Sequence, residues 1–374
     1  MKDTHILIFE HDIVKYPPIL STISFLLGAN KKVILLGHCS DIQYLNSFKE
    51  QGVVFYSVIE NDILENTYVK LYKYSVFKHK CDKVLKTFHK DSFKLWLFGE
   101  QCIWLLHKLV YKYDTNLYLF EIPSFSVSLR YRLLSLSLDY QKTLQQASKV
   151  VCCEYNRAHI TKSFFNLKEL PLVIPNKPSY DFANIDESLF DKYLEQSQGK
   201  KIILYQGIFN YPERKLDEFC EAIKLLPEEY ILVLMGGDNE YKQQLKEKYS
   251  SERILFIPHI SAPNHLSITR RAHIGILVYN GEGGNIENTL NTLYCAPNKV
   301  YEYTQFGIPM ISNDVPALDY LFSSYNNGIC ISRLTDKSIK EAIEEIDSNY
   351  SVFRQNSYQF LDVVDCRESY LKLV

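Results

Sequence analysis

Residues 201–237 read KIILYQGIFNYPERKLDEFCEAIKLLPEEYILVLMGG. The stretch opens on an apolar run of strand length and closes on a second one that ends in two glycines. Apolar runs of this kind read as strands buried on both faces of a parallel sheet. The amphipathic segment between them, 214–226, reads as the helix that carries the chain back over the sheet. The same grammar continues through RILFIP (253–258), HIGILVYN (273–280), IPMISND (308–314) and GICIS (328–332). Helical patterns lie between at 239–249, 264–271, 297–306 and 336–346. The first half has it too: HILIFE (5–10), KKVILLG (31–37), GVVFYSV (52–58), KLWLFG (94–99), NLYLFEI (116–122) and KVVCCEY (149–155) alternate with amphipathic stretches such as 41–52 and 125–147.

Such alternation predicts an α/β fold of two doubly wound, Rossmann-like domains facing a cleft, with ligands at the carboxyl ends of the strands. The length of 374 residues suits two domains, each with its own core. The boundary is expected after 175, where an apolar strand gives way to prolines and polar residues. The domains are then 1–175 and 176–350, and 351–374 is expected to be a helix packing back toward the first domain.

A formal net charge of -2 argues against a general nucleic-acid binder. The N-terminus lacks the long apolar core and small-residue cleavage site of a secretion signal. The apolar stretch 95–111 is interrupted by Glu100, Gln101, His107 and Lys108, so it reads as a buried helix rather than a membrane span. Nine cysteines are scattered without C-x-x-C spacing, which reads as reduced core thiols in a cytoplasmic protein. The histidines show no metal-ligand spacing, and no metal or resident cofactor is expected. Between Lys70 and Lys94 eight lysines are interleaved with Tyr72, Tyr74, Phe77, Phe88 and Phe93. A basic helix with aromatic residues fits peripheral contact with an anionic membrane; the alternative is a solvated helix whose aromatics face the core.

The chemistry concentrates in 295–309, CAPNKVYEYTQFGIP. Pro297 suits the first turn of a helix and Gly307 its end. On that helix Asn298, Lys299 and Glu302 lie together, three and four residues apart. Free amides at a helix start favour phosphate, the lysine adds a positive charge, and the carboxylate accepts hydrogen bonds from a ribose diol. That is the order in which a nucleotide sugar presents its parts.

The run APNKVYEYTQFGIPMISND (296–314) resembles the donor-site signature of GT-B glycosyltransferases related to family 4, many of which build bacterial surface polysaccharides. YQG (205–207) followed by PERKL (212–216) resembles the strand–glycine–basic loop of that family, and LVLMGG, FIP and HIGILVY resemble its later strands. The likeness covers about 200–331 well and the N-terminal half only as a pattern of strands. It implies transfer of a hexose-type sugar from a UDP- or GDP-linked donor to a saccharide acceptor, either free or carried on a lipid at the inner membrane face, for which the basic region is the one local sign. In it Gly207 lets the backbone approach the diphosphate, and Arg214 neutralises the leaving diphosphate. Asn298 and Lys299 match the helix start beneath the phosphates, and Glu302 matches the glutamate that holds the ribose.

Two positions depart from the pattern. Tyr294 stands where many relatives have a second glutamate, and Ile208 where they often have arginine. Glu282 and Glu287 lie nearby as substitutes. In the first half Glu121 ends a strand and is a candidate general base, with His11 after the first strand as the second candidate; Glu154 and Arg157 are further polar candidates. Three rival readings are open. A nicotinamide enzyme would want G-x-G-x-x-G after an early strand, and 10–16 contains no glycine. A non-hydrolysing nucleotide-sugar epimerase shares the architecture, and a degenerate scaffold would explain both departures.

Overall fold

A computed structural model of the protein describes residues 2–59, 67–127, 129–180 and 185–374. The chain divides into two units: 1–179 with 366–374, and 180–365.

Unit 1 is a seven-stranded parallel sheet in the order β3-β2-β1-β4-β5-β6-β7. Its strands are β1 (Thr4–Asp12), β2 (Lys32–His38), β3 (Val54–Ser57), β4 (Phe93–Phe98), β5 (Thr115–Leu119), β6 (Lys149–Cys152) and β7 (Leu172–Val173). Helices α1 (Pro17–Gly28), α2 (Ile42–Glu50), α3 (Thr67–Leu85), α4 (Glu100–Val110), α5 (Leu129–Leu134), α6 (Tyr140–Gln146) and α7 (Tyr155–Phe164) connect them. The central strands are buried almost throughout, as the unbroken apolar runs require. Ile6, Ile8, Leu95 and Leu97 face one layer of helices, and Leu7, Phe9, Trp96 and Phe98 face the other.

Unit 2 is a six-stranded parallel sheet in the order β10-β9-β8-β11-β12-β13. The strands are β8 (Lys201–Gln206), β9 (Tyr230–Met235), β10 (Ile254–Ile257), β11 (Ile274–Leu277), β12 (Met310–Asn313) and β13 (Gly328–Ile331). Its helices are α8 (Ser188–Leu194), α9 (Asp217–Lys224), α10 (Glu240–Tyr249), α11 (Leu266–Thr269), α12 (Ile286–Leu293), α13 (Asn298–Thr304), α14 (Pro316–Tyr325), α15 (Asp336–Ser348) and α16 (Tyr350–Val363). In each sheet the strand order reverses once, between β1 and β4 and between β8 and β11. A crevice opens at such a point because the flanking connections leave to opposite faces.

Three expectations are corrected here. The stretch 95–111 is not one buried helix. Gly99, at φ +77, ends β4 and starts α4, and Glu100 at the first turn accepts from the Ser124 amide at 2.6 Å and hydroxyl at 2.7 Å. The tail 351–374 is two helices with different partners. α16 stays in unit 2, where Phe360 packs with Tyr301 and Tyr325. The last, α17 (Arg367–Leu371), belongs to unit 1, where Tyr370 stacks on Phe25 and Asn116 Nδ2 donates to the Leu373 carbonyl at 3.0 Å. The lysine-rich segment is not one basic amphipathic helix either. Tyr74, Phe77 and Phe93 are buried in the core, Phe88 packs against it, and Lys94 lies in β4 and pairs with Asp114 at 3.4 Å.

One buried carboxyl in unit 1 sets a stability test. Glu10, near the end of β1, is enclosed, and one of its carboxyl oxygens has no hydrogen-bond partner. Burial raises its pKa to about 8, against weaker lowering by hydrogen bonds at Glu10 and Cys102. A carboxyl whose folded pKa is raised stabilises fully only below its unfolded value near 4.5, and that contribution is lost as pH rises through 8. At about 1.4 kcal/mol per pH unit, the loss reaches about 3 kcal/mol by pH 7. Glu10→Gln is therefore expected to flatten the dependence of urea stability on pH between 5 and 8, and to raise stability at pH 8. An unchanged slope would show that Glu10 is ionised at no cost.

Candidate donor site

The second reversal point is built from the ends of β8 and β11. β8 ends at Gln206, and Gly207 follows at φ +145, a conformation that side chains avoid. Its amide donates to the Met235 carbonyl at 2.9 Å, which holds the loop against β9. A Cβ on Gly236 would overlap the Gly207 carbonyl oxygen, so two glycines are needed for the backbones to approach. A Cβ on Gly207 itself would lie 2.6 Å from Lys299 Nζ. The lysine thus reaches over bare backbone.

Lys299 comes from the first turn of α13, with Pro297 as its N-cap. Its ammonium sits 4.9 Å from the centre of the Tyr205 ring. Among the described residues it makes no hydrogen bond to an acceptor and no ion pair. Burial brings its pKa down to about 7, and the charge of Arg214 adds to the fall; Glu302, Cys295 and Glu213 oppose it.

Arg214 follows the loop after β8. Its guanidinium lies 4.0 Å from the centre of the Tyr279 ring, which follows β11, and its Nη1 pairs with Glu213 at 2.8 Å. The Nε is buried with no acceptor. Lys299 thus lies over backbone with no acceptor among the described residues, and Arg214, whose charge acts on it, has an unused donor. An anion with several oxygens would satisfy both.

Glu302, one turn after Lys299, is buried and well partnered. Oε1 accepts from the Tyr180 hydroxyl at 2.7 Å and lies 3.3 Å from His265 Nε2, while Oε2 accepts from Gln206 Nε2 at 2.6 Å. Thr269 donates to Gln206 Oε1 at 2.6 Å and fixes that amide's orientation. Burial opposes the charge of Glu302, but the His265 charge and hydrogen bond, the Tyr180 hydroxyl and Lys299 outweigh it and hold the carboxyl below its ordinary range. A carboxylate offers about four lone-pair sites. Three are occupied here, so a diol must displace one partner, and Tyr180 is less buried than Gln206 or His265.

Residues 200–349 match the family model described as "Glycosyl transferases group 1". Unit 2 carries the glycosyl transferases group 1 match, on a chain with the GT-B fold. No curated protein matches it. Among solved structures the chain is similar to HepE from Anabaena in complex with UDP and glucose, at 10% identity and a TM-score of 0.67, covering 100% of this chain and 97% of that one. It is also similar to WaaG, a glycosyltransferase involved in lipopolysaccharide biosynthesis, at 13% identity and a TM-score of 0.58, covering 99% and 98%. A third is a putative UDP-N-acetylglucosamine 2-epimerase from Listeria monocytogenes, at 12% identity and a TM-score of 0.62, covering 96% and 91%. At these identities the likeness is one of fold.

In unit 2, Gly207, Lys299 and Glu302 gather at one end of the sheet, where the charge of Arg214 acts on Lys299, with Asn298 half-buried at the start of α13. The two substitute glutamates differ in setting. Glu282 is exposed and tied to Lys215 at 2.6 Å, and Glu287 lies in the first turn of α12. Ile208 is exposed, and its carbonyl accepts from the Tyr205 hydroxyl. Sequence reasoning missed Gln206, His265, Thr269 and Tyr180. Gln206 stands beside Gly207 and was within reach; nothing in the sequence marks the other three.

In unit 1, Glu121 is exposed and pairs with the buried Arg157 at 2.8 Å, and Arg157 also donates to the Phe120 carbonyl at 2.8 Å. Glu154 caps α7 by accepting from the Arg157 amide at 2.9 Å. His11 is packed edge-on to Phe9 and lies 3.6 Å from Glu10. Among the described residues no group of three His, Cys, Asp or Glu is placed to hold a metal ion, and no helix is long and apolar enough to cross a membrane.

Proposed function

We propose that the transferase takes a hexose-type sugar from a uridine diphosphate donor held in unit 2 and adds it to a saccharide carried on a lipid, in the assembly of a bacterial surface polysaccharide. The observation that carries the donor half is Lys299, over the bare backbone of Gly207 and without an acceptor among the described residues, with the charge of Arg214 acting on it. Solved neighbours of this fold bind UDP, and HepE binds UDP with glucose, which is why uridine is chosen over guanosine. In the reaction the bond from the sugar's anomeric carbon to the diphosphate oxygen breaks and the electron pair leaves with the diphosphate. The acceptor oxygen forms the new bond and gives up its proton. Charge develops on the leaving oxygen, so Arg214 and Lys299 hold the transition state more tightly than the bound donor. Glu302 accepts from the ribose, taking the place of the Tyr180 hydroxyl. Unit 1 holds the acceptor, and Glu121 and His11 are its candidate bases; replacing the true base lowers kcat about 10²–10⁴-fold.

The epimerase reading is kept because the Listeria structure shares the fold. Product analysis separates the two. A transferase releases one nucleoside diphosphate per sugar moved, whereas an epimerase accumulates none. With UDP-glucose and a saccharide acceptor, the wild type is expected to release UDP in step with glycosylated product. Arg214→Ala should lower kcat about 10²–10³-fold, as loss of a transition-state donor does elsewhere. Epimerised sugar without UDP would overturn the transferase reading. UDP that fails to bind at all would favour the degenerate scaffold, to which Tyr294 and Ile208 point.

A further inference from the structure

Helix α3 and the segment that follows it, residues 67–90, carry seven lysines and one acidic residue, Asp82. The helix buries Tyr74, Phe77, Cys81 and Leu85, spaced three and four apart, into the unit 1 core. The opposite row is Tyr68, Tyr72, His79 and Lys83, and the two tyrosines are 83% and 71% exposed. Helix α5 lies alongside. The Tyr74 and Tyr131 hydroxyls are 3.4 Å apart, and Lys78 Nζ donates to the Leu134 carbonyl at 2.7 Å. Outward from α5 and the turn after it point Leu129 (74% exposed), Leu133 (62%) and Leu136 (70%), with Arg132 exposed among them.

Single exposed leucines are ordinary, but three leucines and two tyrosines on adjoining helices form a surface that water does not favour. The lysines say what covers it. A second copy of the chain meeting this face with its own would set one lysine-rich row against another, which like charges oppose. An anionic bilayer attracts the lysines, takes the leucines into its acyl boundary and seats tyrosines at headgroup level. We propose that the α3–α5 face of unit 1 docks on an anionic lipid surface, with Leu129, Leu133 and Leu136 inserted and the α3 lysines at the headgroups. The apolar contact comes from α5, and most of the aromatics interleaved with the lysines belong to the core. This surface is argued independently of the donor site.

The test is sedimentation of the full chain with vesicles of phosphatidylcholine alone, and with vesicles in which about one third is phosphatidylglycerol. The wild type is expected to pellet with the anionic vesicles and at least tenfold less with the neutral ones. Leu129→Ser/Leu133→Ser/Leu136→Ser should reduce anionic binding at least tenfold with an unchanged Tm, because these side chains are exposed in the folded protein. Lys80→Glu/Lys83→Glu should reduce it at least tenfold without the leucines being touched. If the triple variant loses Tm, Leu133→Ser alone is read instead, with a loss of at least threefold expected. The proposal is overturned if the wild type stays in the supernatant with both vesicles, or if the leucine variants pellet as the wild type does. It is also overturned if gel filtration shows a wild-type dimer that the leucine variants dissociate, which would make this face a protein interface.

Discussion

Lys299→Met is expected to weaken UDP binding about 10²–10³-fold while making the free protein more stable, a combination that a merely structural lysine would not give. The loss follows from removing one partner of a charge pair in a site partly closed to water. The gain follows from linkage. The folded pKa of Lys299 lies near 7 and the unfolded one near 10.5, so at neutral pH the unfolded chain holds the proton more readily. Methionine keeps the length and apolar stem of lysine without the ammonium, and so removes that penalty. Because water reaches part of the site, the expected gain is roughly 1 kcal/mol, a rise of about 2–4 °C in Tm. Thermal shift without and with UDP reads both effects. A variant that loses Tm and keeps UDP affinity would mean that Lys299 serves the fold.

Glu302→Ala should do the reverse to stability and the same to binding. The carboxylate is buried beneath Tyr180, Gln206 and His265, and removing it takes an acceptor from three donors at once. Breaking a buried charge pair in this way costs about 3–5 kcal/mol, which urea denaturation would report. The pH dependence has a definite sign. The folded pKa of Glu302 is held below its unfolded value, so its contribution is present above that value and is lost as pH falls through the folded one. The wild type should therefore lose stability on acidification faster than Glu302→Ala. Should the alanine variant fail to fold, Glu302→Gln retains the volume and one acceptor, and its UDP affinity is the reading. Unchanged affinity in that variant would remove Glu302 from the ribose. Tyr180→Phe completes the comparison. If the ribose displaces the phenol, losing it frees the carboxylate and UDP binds tighter, whereas a positioning tyrosine would give weaker binding.

The fold was legible because its signals are local. A strand buried on both faces must be apolar from end to end, and each strand read from the sequence is present. Helices were harder. α12 starts after GEGGN, which reads as loop, although Asn285 caps it by accepting from the Asn288 amide. α14 went unread despite Pro316 at its first turn and a left-handed Asn326 at its end. At 95–111 one apolar run holds both the strand read as KLWLFG and the helix that follows it, and Gly99 marks the change. The site divides the same way. Gly207, Lys299 and Glu302 sit in short windows whose residue types imply their chemistry. Tyr180 reaches Glu302 across 122 positions of sequence and His265 meets it from the N-cap of α11, contacts that only the folded sheet creates.

Calorimetric titration of UDP at pH 8, in two buffers of different ionisation enthalpy, tests the central claim most directly. If the diphosphate seats on Lys299, it restores the charge of an ammonium that is mostly neutral in the free protein at that pH. The account predicts uptake of close to one proton per UDP bound, and an affinity that falls by up to about tenfold per pH unit between pH 7 and 9. UDP that binds with no proton uptake and with an affinity flat across that range would contradict it, and would place the diphosphate somewhere other than Lys299.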